Sequence, residues 1–269
     1  MSRIERCFAK LKQEGRTGFI PFIMGNDPDF ETAFEIMKGL PDAGADLIEI
    51  GVPFTDPMAD GIAIQLAGQR ALKSGGGLKK SLELVQEFRK EDQETPVVLM
   101  GYYNPVYRYG VDRFISDTEE IGIDGVIIVD LPLEEDQELF TPTQQRNLDF
   151  IRLLTPMTGE VRLKDLLKDA KGFAYYVSVA GVTGTSSAKT EDIKTAMERI
   201  KKITDLPIAL GFGVKTPQQV EDMSEYADAV VVGSALVKQV EKGVKAGASK
   251  QDIVKKALEF VKELTNSLK

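Results

Sequence analysis

Residues 47–65 read LIEIGVPFTDPMADGIAIQ, and this stretch decides the fold because it contains a strand, a loop and the start of a helix. The apolar residues on both sides of Glu49 predict a short strand that is buried on both faces. The strand ends at Gly51, and the loop after it runs to Asp60 and Gly61, where a helix begins. A carboxylate in such a strand is strongly unfavourable unless it is paired or protonated. Glu49 and Asp60, at the two ends of one loop, therefore predict an acid–base pair.

Composition restricts the class of protein. The chain has 269 residues, of which 42% are hydrophobic, and its net charge is −8. The negative charge argues against nucleic acid and anionic membranes as partners. The single cysteine, Cys7, suits a reducing compartment. The chain has neither an apolar run of about 20 residues nor an apolar signal segment, so we expect a cytoplasmic protein.

The chain contains no histidine. Serine–histidine nucleophiles, histidine bases and histidine-dependent metal hydrolases are therefore excluded. A single cysteine also excludes a zinc site with four thiolates. A magnesium site made only of carboxylates stays open, but we expect no metal. Any proton transfer must use Asp, Glu, Lys or Tyr side chains.

Eight short apolar segments alternate with helical patterns along the chain. The predicted strands span residues 17–24, 47–50, 96–102, 125–130, 150–154, 173–178, 207–210 and 229–232. This alternation is typical of a parallel sheet, and eight units in this length favour a closed (β/α)8 TIM barrel, with one α/β domain over residues 1–269. The runner-up is an open sheet, but no G-x-G-x-x-G follows the first strand. A capping box at Ser2 and Glu5 predicts an extra N-terminal helix that ends at Gly15.

In a parallel barrel, catalytic residues lie at the carboxyl ends of the strands. Besides Glu49 and Asp60, the residues there are Phe22, Met100, Tyr102, Asp130, Tyr175, Gly211, Phe212, Gly213, Gly233 and Ser234. Backbone N–H groups at the glycines after strands seven and eight suit a phosphate, and a helix N-terminus adds partial positive charge. The long polar segment 181–190 is typical of a lid.

Each of these residues also has a structural explanation. The glycines suit turns, Glu49 suits a buried ion pair, and Asp60 suits a helix cap. Asp130, before Leu131 and Pro132, is more typical of a turn or a cap than of catalysis. Because no predicted strand contains a lysine, a Schiff-base aldolase is poorly supported. Proton-driven C–C cleavage, isomerisation or epimerisation of a phosphosugar derivative remains.

Residues 48–61, IEIGVPFTDPMADG, resemble the signature of the tryptophan synthase α subunit position for position. The likeness continues through PFIMGNDPD (21–29), GYYNPVYRYG (101–110), VDLPLEE (129–135), LLTPMTGEVR (153–162), YYVSVAGVTGT (175–185), GFGVKTPQQV (211–220) and VVGSALVK (231–238). The resemblance implies a lyase of tryptophan biosynthesis. Its retro-aldol reaction would cleave indole-3-glycerol phosphate to indole and glyceraldehyde 3-phosphate.

The resemblance also implies roles for single residues. Glu49 would be the general acid and base at indole C3 and the glycerol hydroxyl, and Asp60 would stabilise the positive charge that develops at the indole nitrogen. The expected substrate-binding residues are Phe22, Met100, Tyr102, Tyr175 and Phe212. The expected phosphate-binding residues are Gly184, Gly213, Gly233 and Ser234. Ile62 departs from the proline common at this position in the family, which would loosen the loop that carries Asp60.

A protein partner is implied as well. The resemblance implies a tryptophan synthase β subunit in an α2β2 complex, with pyridoxal phosphate in that subunit only and no cofactor in this chain. We expect the contact at the mouth of the barrel, on segments 53–60 and 104–108. The expected contact residues are Pro53, Asp56, Asn104 and Pro105. Two alternatives stay open, namely a stand-alone lyase that releases free indole and a catalytically weak allosteric subunit, although intact Glu49 and Asp60 argue against the second.

Overall fold

The computed structural model describes residues 1–177, 186–211 and 213–268, and their strands form one closed parallel sheet. The strands are β1 Gly18–Met24, β2 Ile48–Gly51, β3 Val97–Gly101, β4 Gly125–Ile128, β5 Asp149–Phe150, β6 Arg152–Leu154, β7 Ala174–Val177, β8 Ile208–Gly211 and β9 Ala229–Val232. They pair in the order β5-β4-β3-β2-β1-β9-β8-β7-β6. Because β5 and β6 are two parts of one strand interrupted at Ile151, the order closes on itself. The TIM-barrel prediction is confirmed.

Helices surround this barrel. They are α1 Arg3–Glu14, α2 Phe30–Gly39, α3 Ile62–Lys73, α4 Leu78–Arg89, α5 Tyr103–Tyr109, α6 Val111–Ile121, α7 Gln137–Gln144, α8 Glu160–Leu167, α9 Ser186–Lys201, α10 Pro217–Ser224, α11 Ser234–Lys245 and α12 Lys250–Thr265, with a 3-10 turn at Asn266–Leu268. Their apolar faces pack on outward-facing strand residues such as Phe19 and Ile48, which forms the larger core. Within the described ranges, no helix is both long and apolar enough to cross a membrane.

Helix α1 closes the amino-terminal end of the barrel. The predicted capping box is present, since Ser2 Oγ accepts from the Glu5 N–H at 3.2 Å and the Glu5 carboxylate accepts from the Ser2 N–H at 2.8 Å. Gly15 ends the helix with a φ of 64°, a conformation that glycine adopts without strain. The buried side chains of Ile4 and Phe8 pack with the inward-facing strand residues that fill the barrel. The carboxyl ends of the strands therefore form the open end.

Three segments differ from the sequence prediction. Residues 103–109 form helix α5, where the sequence predicts only a turn at Asn104–Pro105. The predicted strand 150–154 is interrupted at Ile151, although the Ile151 N–H still donates to the Val126 carbonyl at 2.9 Å. Helix α9 begins at Ser186, inside the predicted lid 181–190, and the first part of that lid lies outside the described residues.

Candidate active site

Glu49 lies in the middle of β2, with its side chain inside the barrel. It aligns with Phe22 on β1 and with Val98 on β3, and it is 1% exposed. Neither of its carboxyl oxygens has a hydrogen-bond partner among the described residues. This burial raises the pKa of Glu49 to about 8, so the side chain is protonated at neutral pH. The structural ion pair that the sequence left open is not formed with any of the described residues.

Tyr175 on β7 is the second buried titratable group at this site. Burial raises the pKa of its hydroxyl well above the ordinary value, and the neighbouring Glu49 adds to the increase. Tyr175 is therefore a neutral hydroxyl throughout the physiological range. The next residue, Tyr176, belongs to the core between the sheet and the helices. Of the two tyrosines, only Tyr175 faces the cavity.

The loop between β2 and α3 brings Asp60 to the rim of the barrel. Its N–H donates to the Pro57 carbonyl at 3.1 Å, and the Gln65 amide donates to the Asp60 carbonyl at 2.8 Å. Burial raises the pKa of Asp60, while a hydrogen bond with Tyr102 acts in the opposite direction. Gly61 is the N-cap of α3, and no side-chain bond caps this helix. The cap alternative for Asp60 is therefore not supported.

Tyr102 holds this loop and is not among the described residues that line the cavity. Its hydroxyl accepts from the Ala59 N–H at 3.0 Å, and its ring centroid lies 5.2 Å from that of Phe54. Burial is the main reason that the pKa of Tyr102 is raised to about 12. Tyr102 therefore contacts both ends of the segment that carries Asp60. Its expected contact with substrate stays a prediction.

A cavity of about 200 Å³ at the carboxyl ends of the strands brings most of the expected site residues together. From the expected set, it is lined by Phe22, Glu49, Asp60, Met100, Tyr175, Gly213, Gly233 and Ser234. Three larger surface grooves, of about 470, 790 and 800 Å³, lie beside α1 at the opposite end, away from both acids. The smaller cavity is the one that brings together Glu49, Asp60 and Tyr175, whose pKa values are all raised by burial.

Three residues that line the cavity were not predicted from the sequence, and a fourth, Gly211, was predicted only as one of the glycines that suit a phosphate. The three are Ile64, Val177 and Val231. Val177 follows Tyr175 on the same face of β7, and Ile64 lies one helical turn after Asp60, so strand alternation and helix periodicity could have indicated both.

Glycines and a helix N-terminus form the end of the cavity that suits an anion. Ser234 is the first residue of α11, and the Val237 N–H donates to the Gly233 carbonyl at 3.1 Å. The N–H groups of the turn before Val237 have no carbonyl to bind within the helix, and they point at any anion placed there. No lysine or arginine among the described residues lines the cavity. Two expected contacts, Gly184 and Phe212, lie outside the described residues.

Comparisons with known proteins identify the family. The sequence matches the tryptophan synthase alpha chain family over residues 8–269. The chain belongs to this family. The tryptophan synthase alpha subunit of Legionella pneumophila is 35% identical, with a TM-score of 0.92 and coverage of 100% of this chain and 98% of that chain. An Aquifex aeolicus structure is 37% identical, with a TM-score of 0.89 and 100% coverage of both chains.

Tryptophan synthase of Mycobacterium tuberculosis, in an open form with the compound BRD0059 bound, is 31% identical to this chain. It has a TM-score of 0.86 and covers 100% of this chain and 99% of its own. As a tryptophan synthase alpha chain, the protein is a carbon–carbon lyase that cleaves indole-3-glycerol phosphate in tryptophan biosynthesis. The resemblance and the activity expected from the sequence are confirmed.

The two segments expected to contact a tryptophan synthase β subunit lie on loops after β2 and β3. Asp56 and Asn104 are exposed, and Pro105 is partly buried in α5. Pro53 is buried, so it shapes the loop from inside and presents no surface of its own. Large apolar side chains are exposed on segments that follow strands, namely Met58, Ile62, Tyr107, Met157 and Val161.

Proposed function

We propose that the cavity binds indole-3-glycerol phosphate and that Glu49 and Asp60 catalyse its cleavage within a single TIM-barrel domain. The observation that carries this proposal is the buried Glu49 carboxyl, which has no partner among the described residues and shares the cavity with Asp60. An unpaired buried acid is unfavourable for folding, and its raised pKa suits a group that must give a proton at neutral pH.

Glu49 donates one proton and then takes up another during the reaction. Its neutral carboxyl donates this proton to indole C3, which leaves the positive charge at the ring nitrogen. The resulting carboxylate then takes the proton of the glycerol hydroxyl on the carbon attached to C3. As that O–H bond breaks, the C–C bond to the ring breaks and its electron pair returns to the indole. The products are indole and glyceraldehyde 3-phosphate, and Glu49 is protonated again.

Asp60 stabilises the charged intermediate. Its carboxylate accepts a hydrogen bond from the ring N–H, and this bond strengthens as positive charge develops on the nitrogen. Phe22 and Met100 enclose the apolar ring, Phe212 belongs to the same set by sequence, and the neutral Tyr175 hydroxyl lies on the same side as Glu49. Because no lysine among the described residues lines the cavity, this route also suits the chain better than a Schiff base does.

Backbone N–H groups bind the phosphate in this proposal. Gly213, Gly233 and Ser234 line the cavity, and Gly184 belongs to the same set by sequence. The N-terminus of α11 supplies partial positive charge in place of a lysine or arginine. With the phosphate bound in this way, no cation among the described residues that line the cavity offsets the burial that raises the pKa of Glu49.

Glu49→Gln tests the catalytic role because it keeps the shape and removes the acidic proton. We expect kcat to fall at least about 10²-fold, the usual scale for a lost acid–base group. Asp149→Asn is the matched control, since Asp149 is also buried, with a pKa raised to about 6, but lies on the amino-terminal side beside Ser2. This control should turn over like the wild type. Near-normal turnover by Glu49→Gln would refute the proposal.

We also propose that the chain works in the cytoplasm with a β subunit that holds pyridoxal phosphate and consumes the indole. The neighbour from Mycobacterium tuberculosis is a tryptophan synthase. Exposed apolar side chains beside the mouth, such as Met58, Ile62 and Met157, suit burial against a partner. Mixing this chain with a β subunit should raise both the measured mass and the lyase rate. A chain that stays alone and is already fully active would favour the stand-alone lyase.

A further inference from the structure

The loop between β1 and α2 contains two buried polar residues that the reaction does not use. Asn26 is 1% exposed and Asp27 is 4% exposed. The Asp27 carboxylate accepts two hydrogen bonds from the guanidinium of Arg70 on α3, each of 2.8 Å. Two parallel bonds between planar groups fix orientation as well as distance. The Asp27–Arg70 pair therefore defines how α3 lies against this loop.

A second set of polar contacts joins the same loop to the end of α3. The Asn26 amide donates to Ser74 Oγ at 2.6 Å, and Ser74 Oγ lies 3.1 Å from the Asn26 carbonyl oxygen. Ser74 is the residue directly after α3. Directional bonds thus hold the carboxyl-terminal end of α3 to the loop that follows β1.

The other end of α3 begins at the Asp60 loop. The Gln65 side chain, in the first turns of the helix, donates to the Asp60 carbonyl at 2.8 Å, and Ile64 lines the cavity. At about 1.5 Å per residue, roughly 15 Å of chain separates Arg70 from Asp60. Any shift of α3 along its axis therefore moves Asp60 in the same direction.

Between its ends, α3 packs on the barrel mainly through small apolar side chains. Ala67 and Ala71 lie in a buried cluster with Phe22 and Met24 of β1. Apolar contacts of this kind hold two surfaces together but have no direction. The polar contacts at the two ends of α3 therefore determine its rotation about its axis and its position along that axis.

We propose that the Asp27–Arg70 pair fixes the position of α3 and thereby places Asp60 for the lyase reaction. Asp27 and Arg70 are positioning residues, since neither is among the described residues that line the cavity. The inference rests on the catalytic role proposed for Asp60. Glu241 on α11 is a competing carboxylate whose charge interacts with Arg70. Without the Asp27 charge, Arg70 turns towards α11 and α3 moves with it.

Asp27→Asn removes the charge with little change in shape. We expect kcat to fall about tenfold, because small displacements of a catalytic group have effects of this size or larger. KM for indole-3-glycerol phosphate should stay within about threefold, because the phosphate-binding turns and the ring contacts of Met100 and Tyr175 lie outside α3 and its loop. The circular dichroism spectrum should match that of the wild type.

The decisive measurement repeats Asp27→Asn in an Asp60→Asn background. If the pair acts through Asp60, Asp27→Asn should lower kcat far less in the Asp60→Asn background than in the wild type. An equal fold-loss in both backgrounds would mean that the pair serves the fold in general, and would overturn the inference. Arg70→Lys keeps the charge but loses the two-point contact, and it should show the same pattern if Asp27→Asn does not fold.

Asp46→Asn is the matched control. Asp46 accepts two hydrogen bonds from Arg16, of 2.8 and 2.9 Å, but this pair lies beside α1 at the closed end of the barrel. Its loss should leave kcat unchanged. If Asp60→Asn is slow while Asp27→Asn and Arg70→Lys both keep normal kcat, this inference alone fails. If Asp60→Asn turns over like the wild type, the proposed function fails and this inference fails with it.

Discussion

Replacing Glu49 by glutamine should change how stability depends on pH. In the folded protein, burial raises the pKa of Glu49 from 4.5 to about 8. Between these two values, the folded state holds one more proton than the unfolded state. The free energy of unfolding therefore falls as the pH rises through this window, and it levels off above about pH 8. Glutamine cannot ionise, so Glu49→Gln lacks this decline.

The size of the effect follows from the proton count. One proton difference corresponds to about 1.4 kcal/mol per pH unit, so between pH 6 and pH 8 the wild type should lose about 2–3 kcal/mol relative to Glu49→Gln. The comparison avoids two competing effects. The chain has no histidine, and Asp27 and Asp149, whose pKa values burial raises to about 6, finish titrating near the lower end of the interval and do so equally in both proteins.

Urea unfolding followed by circular dichroism at pH 6, 7 and 8 measures this difference. The two stability curves should diverge as the pH rises, with Glu49→Gln the more stable protein at pH 8. Asp149→Asn should follow the wild type across the same interval. Parallel curves for the wild type and Glu49→Gln would show that Glu49 is already ionised in the folded state. The proton-donor role would then be wrong.

Three further outcomes are expected. The wild-type kcat/KM should fall about tenfold per pH unit above pH 8, because Glu49 then loses the proton that it donates; a flat pH–rate profile through this range would contradict that. Asp60→Asn should lower kcat strongly with an unchanged circular dichroism spectrum, whereas unfolding with intact residual activity would make Asp60 a structural residue. Gly51→Ala should lower the free energy of unfolding in urea by about 1–3 kcal/mol, since the added Cβ would lie 2.4 Å from Phe22 Cζ. Gly61→Ala, where a Cβ would meet nothing within 4 Å, is the control; it should cost less than Gly51→Ala, because it loses only the preference for glycine at the N-cap of α3.

Helix α5 shows why part of the fold could not be predicted. The strands and most helices follow from local periodicity, and the cap at Ser2 follows from two nearby residues. The first N–H of α5, at Tyr103, instead donates to Asp130 Oδ1 at 2.8 Å, and this acceptor lies 27 residues further along the chain. Pro105 is compatible with the first turn of a helix, where its missing N–H has no partner to lose. A cap so distant in sequence leaves no local signal.

A site residue could be predicted from the sequence where its polarity is unfavourable in its own strand. Glu49 is an acid inside an apolar segment, and that conflict is visible without a structure. The orientation of Tyr102 depends on packing, since a position at the end of a strand does not say whether the side chain faces the cavity or the Asp60 loop. The burial of Pro53 depends on packing in the same way. Gly184 remains a prediction.

The pairing of β1 with β9 has a consequence for how the chain is synthesised. Gly18 aligns with Ala229, so the neighbour of the first strand emerges from the ribosome about 200 residues after it. Until then, one edge of β1 has backbone groups without a partner, and such an edge can pair with another nascent chain. We therefore expect chaperones to bind the nascent chain mainly before β9 has been synthesised. A translational pause before residue 229 leaves a chain that can form helices but cannot close its barrel.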